Sequence, residues 1–244
     1  MARKVRRRTA NLLYRGSNPL GSSNLYERII MKVALKAITK PVDETLTIED
    51  FIAYVARVSN PSNQNNKVTS QKLLKYLKDN NHWSPFEMVH VVIEIETTRD
   101  IARQILRHRS FAFQEFSQRY ADPTQLEFHI REARLQDSKN RQNSIDTNDD
   151  ELSRTWNSLQ NSVVRRSIEV YKWAMDNGIA KEQARAVLPE GIVGSRLYMS
   201  GSLRSWIHYC QLRMGNGTQK EHREIAEACW NVIIEQFPSL KEVL

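Results

Sequence analysis

Met88-Val89-His90-Val91-Val92-Ile93-Glu94-Ile95-Glu96-Thr97 alternates, with Val89, Val91, Ile93 and Ile95 on one face and His90, Glu94 and Glu96 largely on the other. Successive side chains of an extended strand point to opposite faces, so this run reads as a strand half covered by other structure. The period then changes. Thr98 or Asp100 can cap a helix running to about Arg107, with Ile101, Ile105 and Leu106 inward. Upstream, Met31 to Ile38 opens another strand. Ile48 to Val58 suits an amphipathic helix (Phe51, Ile52, Val55 and Val58 on one side), residues 59–68 a polar loop, and Ser70 to Lys78 a helix burying Leu73, Leu74 and Leu77. Downstream, Glu127 to Leu135 is a weaker strand, and the polar residues 136–151 are expected to be an exposed loop. A long helix spans about 152–176 and ends at Gly178; short helices fit 180–187 and 195–211, and a last one fits 218–236 before Pro238. Strand, helices, strands, helices is an α+β (mixed α/β) order. No Gly-x-Gly-x-x-Gly follows a strand, so a Rossmann crevice is not expected.

With 244 residues, 40% of them hydrophobic and 26% charged, the chain has an ordinary globular composition and length enough for a substantial core. No apolar run approaches the ~20 residues that span a bilayer. The start is basic and polar with no apolar signal region, so a cytoplasmic protein is expected. Net charge is +8, but residues 1–30 carry Arg3, Lys4, Arg6, Arg7, Arg8, Arg15 and Arg28 against Glu27, which is +6 of it. Those thirty residues read as a disordered tail upstream of a 31–244 domain, with Met31 as a second possible start. Because the charge sits in the tail, a nucleic-acid surface on the folded domain is not expected. Cys210 and Cys229 form no C-x-x-C and read as buried small hydrophobes.

The chemistry concentrates immediately after the first helix read above. Arg107-His108-Arg109 is followed by Glu115, Ser117, Gln118, Arg119 and Tyr120, with Phe111, Phe113 and Phe116 interleaved. Guanidinium forks match phosphate oxygens bidentately and aromatic rings offer faces to a planar group, so the stretch suits an anionic, ring-bearing ligand. A solvated helix end or a nucleic-acid footprint would show a similar basic run. Gln104 lies one helical turn before Arg107 and shares its face.

Arg-His-Arg, seven residues, then Ser resembles the signature of the flavin-dependent thymidylate synthases. Three other blocks resemble the same family in order: His82-Trp83-Ser84-Pro85-Phe86-Glu87, Gln183-Ala184-Arg185-Ala186-Val187-Leu188-Pro189, and Ser202 through Arg213 continuing to Gln219-x-Glu221. Gln114 and Ser202 depart from it, each standing where the family often has Asn. The resemblance implies a central, largely antiparallel sheet flanked by helices, of the thymidylate-synthase-complementing type. It also implies methylation of dUMP to dTMP with FAD as cofactor and 5,10-methylenetetrahydrofolate and NADPH as co-substrates. A homotetramer with sites shared between subunits is expected by the same resemblance.

Carried onto this chain, the likeness assigns dUMP to Gln104, Arg107, Glu115, Ser117, Gln118, Arg119, Arg185 and Arg213, with Arg213 catalytic. FAD falls to Ser84, Arg107, His108, Arg109, Glu115, Arg204 and His208, and folate or nicotinamide to His82. His108, beside two arginines, is expected to stay neutral. Neither cysteine has the Pro-Cys setting of the unrelated, thiolate-dependent synthases. Three alternatives stand beside this reading: a catalytically silent relative that binds dUMP or flavin, a nucleic-acid-binding protein using the tail as an arm, and a metal-dependent hydrolase using His82, His90 and His108. The histidine spacings of the last fit no tight ligand motif, so no metal is expected.

Overall fold

The computed structural model describes residues 31–241; the basic tail and the question of Met31 as a start lie outside them. Strand β1 (Lys32–Ile38) pairs antiparallel with β2 (His90–Thr98), β2 with β6 (Gly194–Ser202), and β6 with β3 (Ala112–Glu115), giving the order β1-β2-β6-β3. Alternation in β2 does what it requires. Val91, Ile93 and Ile95 are buried, and their cross-strand partners on β6 include Met199 and Leu197, also buried. Covering that face are α1 (Ile48–Ala56), α2 (Ser70–Asp79), α3 (Arg99–Ile105), α6 (Leu203–Arg213) and α7 (Lys220–Gln236), which supply Ile52, Leu74, Ile101, Trp206, Ile225 and Ile233 to one core. The Trp206 indole N–H donates to the Val91 carbonyl at 3.1 Å, so even this buried ring leaves its polar atom satisfied.

A smaller core forms where α4 (Asp150–Asp176) lays Val164, Tyr171 and Ala174 against Phe128, Ala184, Leu188 and Val193. Asp149 caps α4 by accepting from the Leu152 amide, and Thr47 and Asp50 form a reciprocal capping box on α1.

Five expectations need correction. The stretch 195–211 is not one helix: Gly194–Ser202 is the long strand β6, and helix begins only at Leu203. Burial in β6 alternates (Ser195, Leu197, Met199 and Gly201 in, Arg196 and Tyr198 out), so the true period there is two. Residues 127–135 hold no continuous strand; Phe128 makes an isolated bridge to Val193, Ile130 is a second single-residue bridge, and a ladder begins only at Arg134. The polar 136–151 segment is a hairpin, β4 (Arg134–Gln136) against β5 (Ser144–Asp146), not a structureless loop. Its turn is tied by Asp137, whose carboxylate accepts from the Lys139 and Asn140 amides and the Asn143 side chain. Within 180–187 only Lys181–Ala184 (α5) is α-helical, and a 3₁₀ turn over Arg185–Val187 completes it. The four-residue β3 was not anticipated, and Val58, assigned inward, lies beyond the end of α1 and is exposed.

Candidate active site

Both α3 and α6 start at the end of a central strand, α3 directly after β2 and α6 directly after β6. Because β2 and β6 are antiparallel, the two helices start at opposite ends of the sheet, and it is the C-terminal end of α6 that reaches the segment following α3. Ser202, the departure from Asn noted in the sequence, is the N-cap of α6 and accepts from the Ser205 amide at 3.2 Å, a structural task that serine performs as well as asparagine. Gln114 is exposed in β3.

At the C-terminal end of α6, Arg213 donates its Nε–H to Nε2 of His108 at 2.9 Å. An imidazole that accepts there carries its proton on Nδ1 and is uncharged. Burial, followed by the Arg213 charge, lowers the His108 pKa to about 4, so the neutral ring expected from sequence is present, though its cause is not the flanking arginines. The ring also stands edge-on to Tyr209 at 4.9 Å. With Nε engaged, both Nη groups of Arg213 remain available to a ligand.

Beneath this pair runs a set of contacts that links Gln104, assigned to dUMP from sequence, to Tyr209 and His222, to which sequence reasoning gave no role. Tyr209 Oη lies 3.1 Å from His222 Nε2, His222 Nδ1 lies 3.3 Å from Gln104 Oε1, Gln104 Nε2 donates to Gln219 Oε1 at 2.8 Å, and Gln219 Nε2 donates to Glu221 at 2.9 Å. His222 is fully buried; burial first, then Arg213 and His108, lower its pKa to about 3. One sequence signal could have found it. His222 falls on the i, i+3, i+4 face of α7 with Ile225, Ala226, Cys229 and Trp230, and a titratable ring on a core face calls for partners.

The other anion-seeking side chains form a second group. Arg119 pairs with Glu182 at 3.4 Å, Arg185 donates to the Glu182 carbonyl at 3.3 Å, and Ser117 Oγ accepts from the Arg119 amide at 3.3 Å. Arg119, Tyr120, Ala180, Lys181 and Glu182 line a cavity of about 280 Å³. Among the described residues no hydrogen bond joins this group to Arg213. Gln118 is buried, and its amide nitrogen finds no partner among the described residues.

Arg107 and Arg109 are exposed at the C-terminal side of α3, and neither pairs with a described residue. Glu115 faces inward, accepting from Ser195 Oγ at 2.8 Å and lying 3.5 Å from Arg99. Around the 82–87 block, Arg204 is ion-paired with Glu87, and Trp83 meets His208 edge-on at 4.6 Å. His82 and Ser84 are exposed, with His82 edge-on to Tyr76. The Trp83–His208 ring pair, with the Arg204–Glu87 ion pair on the same segment, offers an aromatic face and a cation to a planar, phosphate-bearing group. Among the described residues no cluster of His, Cys, Asp and Glu is arranged to hold a metal ion, and no helix is long and apolar enough to cross a membrane. Cys210 and Cys229 are fully buried, and burial pushes both thiols well above their ordinary pKa, so neither is poised as a thiolate nucleophile.

An antiparallel, non-Rossmann sheet with guanidiniums exposed near helix ends defines a class of α+β protein whose side chains suit an anionic ligand. The comparisons narrow this class. Residues 42–239 match the family model described as "Thymidylate synthase complementing protein". The "Flavin-dependent thymidylate synthase" of Synechocystis sp. is 50% identical over 218 residues, covering 88% of this chain and 99% of the relative. The "Probable flavin-dependent thymidylate synthase" of Paramecium bursaria Chlorella virus 1 is 48% identical over 215 residues, with the same coverage of both. A crystal structure of "a UMP/dUMP methylase PolB from Streptomyces cacaoi" shares the fold at a TM-score of 0.73, with 23% identity over 87% of this chain and 95% of that one. The chain belongs to the thymidylate synthase complementing protein family, that of the flavin-dependent thymidylate synthases.

Proposed function

We infer that residues 31–244 form a catalytic domain that methylates dUMP at C5 to give dTMP. It uses FAD, with 5,10-methylenetetrahydrofolate as carbon donor and NADPH as reductant, in a cytoplasmic homotetramer whose sites draw on more than one subunit. Arg213 carries the reading: its Nε is fixed by a neutral imidazole, and its Nη groups have no partner among the described residues. A guanidinium so held can stabilise negative charge as it develops on the uracil carbonyl edge, which makes C5 nucleophilic. Its charge is permanent, so its role is electrostatic and not proton transfer.

The dUMP phosphate goes to Arg119, Ser117 and Arg185. Glu182 now occupies Arg119, and the pair is more than half exposed, so a doubly charged phosphate can exchange with the carboxylate at little cost. Gln104, Arg107, Glu115 and Gln118 line the nucleotide side. Ser84, Arg107, His108, Arg109, Glu115, Arg204 and His208 hold FAD, with His82 near the folate or nicotinamide. FAD when bound supplies the redox chemistry, so the buried thiols are not needed as nucleophiles. An exposed apolar stripe along α4 (Leu152, Trp156, Leu159, Val163) offers a surface for assembly.

Purified protein is expected to be yellow, with flavin bands between about 350 and 500 nm, and to release tritium from C5-labelled dUMP. Arg213→Ala should retain the flavin and lose nearly all tritium release. A colourless preparation that takes up no FAD would count against the cofactor. A yellow protein that releases no tritium would instead support a catalytically silent relative.

A further inference from the structure

The contacts beneath Arg213 have a direction, and one charge sets it. Glu221 is buried at the start of α7; burial raises its pKa, but Arg131 (3.2 Å) and Arg134 outweigh this and hold it ionised. Arg131 is itself seated by Asp100 at 2.9 Å and Thr98 Oγ1 at 2.6 Å, where β2 passes into α3. A carboxylate can only accept. Gln219 must therefore turn its NH2 to Glu221 and its oxygen to Gln104. Gln104 must then turn its own NH2 to Gln219 and its oxygen to His222. His222 must carry its proton on Nδ1, which leaves Nε2 to accept from the Tyr209 hydroxyl. No amide in the chain can flip without breaking two hydrogen bonds.

We propose that Glu221 and His222 are positioning residues for the nucleotide site: the Glu221 carboxylate sets the polarity of a one-way hydrogen-bond chain that fixes which end of the Gln104 carboxamide is offered to dUMP. The chain leaves Gln104 its second N–H as its free donor, which suits an acceptor oxygen on the nucleotide. Through Tyr209 the same chain supports the edge-on seat of His108, and so the direction of Arg213. This inference rests on the reading of Gln104 as a nucleotide contact.

The test is a double-mutant cycle on the FAD-loaded enzyme, reading KM and Kd for dUMP, kcat, FAD affinity and thermal stability. Glu221→Gln is isosteric but can donate to Gln219, which removes the constraint on direction. Alone it should weaken dUMP binding about tenfold, the scale of one misplaced charge-assisted hydrogen bond, with FAD affinity unchanged. Combined with Gln104→Ala it should add nothing to the loss from Gln104→Ala alone, because both act through one carboxamide. Should Glu221→Gln fail to yield folded holoenzyme, His222→Leu in the same cycle is expected to be equally non-additive, with partial rescue by His222→Gln, which keeps one donor and one acceptor. Additive losses, or unchanged dUMP binding in the Glu221 and His222 variants while Gln104→Ala weakens it, would overturn the proposal and leave the nucleotide role of Gln104 standing. Unchanged binding in Gln104→Ala would remove that role and the proposal with it.

Discussion

Single residues near the site are arranged so that two imidazoles stay uncharged among arginines. That arrangement has a thermodynamic signature. His222 titrates near 3 and His108 near 4 in the folded protein, below the ordinary value of 6.5 expected in the unfolded chain. Below pH 6.5 the unfolded chain therefore binds protons that the folded protein refuses, and stability falls as pH drops from about 6.5 toward 4. Each such histidine contributes a slope of up to about 1.4 kcal/mol per pH unit across that window. Glu221, whose pKa is depressed below 4.5, contributes stability that is lost only at lower pH, so the histidines dominate between 6.5 and 4.5. Denaturant unfolding at pH 8, 6.5 and 5 should show this slope in the wild type and a shallower one in His222→Gln. Equal slopes in the two proteins would mean that the ring is protonated inside the fold, and the tautomer assigned to it would be wrong.

At the scale of elements, β6 connects the sheet to the site, and its last turn is unusually crowded. A Cβ on Gly201 would collide with Cδ1 and Cε1 of Phe111, and that ring is itself packed edge-on to Trp206 at 4.9 Å and to Tyr209 at 5.9 Å. With little room for the ring to yield, Gly201→Ala is expected to lower stability by about 1–3 kcal/mol, the usual cost of overpacking. Phe111→Leu in the same background should recover part of the loss. A melting temperature for Gly201→Ala equal to wild type would show that the ring moves freely. The same strand, β6, was hard to read from sequence, for a separate reason. Ser195-Arg196-Leu197-Tyr198-Met199 carries a period of two, and Ser200-Gly201-Ser202 breaks it from Leu203-Arg204-Ser205-Trp206; reading 195–211 as one helix passed over that break and the N-cap serine in it. By contrast β2 was legible because Val89, Val91, Ile93 and Ile95 alternate with a face that carries His90, Glu94 and Glu96, and α1, α2, α4 and α7 because each carries a clear apolar stripe. Of the candidate site, Gln104, His108 and Arg213 were singled out through motif spacing, and the structure brings His108 against Arg213. The roles of Glu182, Tyr209 and His222 were not, because they depend on contacts between residues 63 to 118 positions apart, or on a neighbour across helices.

For the whole molecule, the placement of the cations poses a question that one chain does not answer by itself. Arg119 leans on α5 through Glu182, whereas Arg213 ends α6 and engages His108 at the end of α3. These two guanidiniums are assigned opposite ends of one nucleotide, yet no hydrogen bond joins their groups among the described residues. An assembly in which one subunit supplies Arg119 and another Arg213 would bring them together, and the exposed Leu152, Trp156, Leu159 and Val163 of α4 provide apolar area to bury in it. Complementation between inactive subunits distinguishes the two geometries. Arg119→Ala and Arg213→Ala should each be nearly inactive as pure proteins. Co-expressed in equal amounts with separable tags, they should form mixed oligomers that regain about a quarter of wild-type turnover, the fraction of shared sites that draw both intact arginines when subunits associate at random. If each site lay within a single chain, every site in the mixture would carry one lesion and activity would stay at the level of the parents.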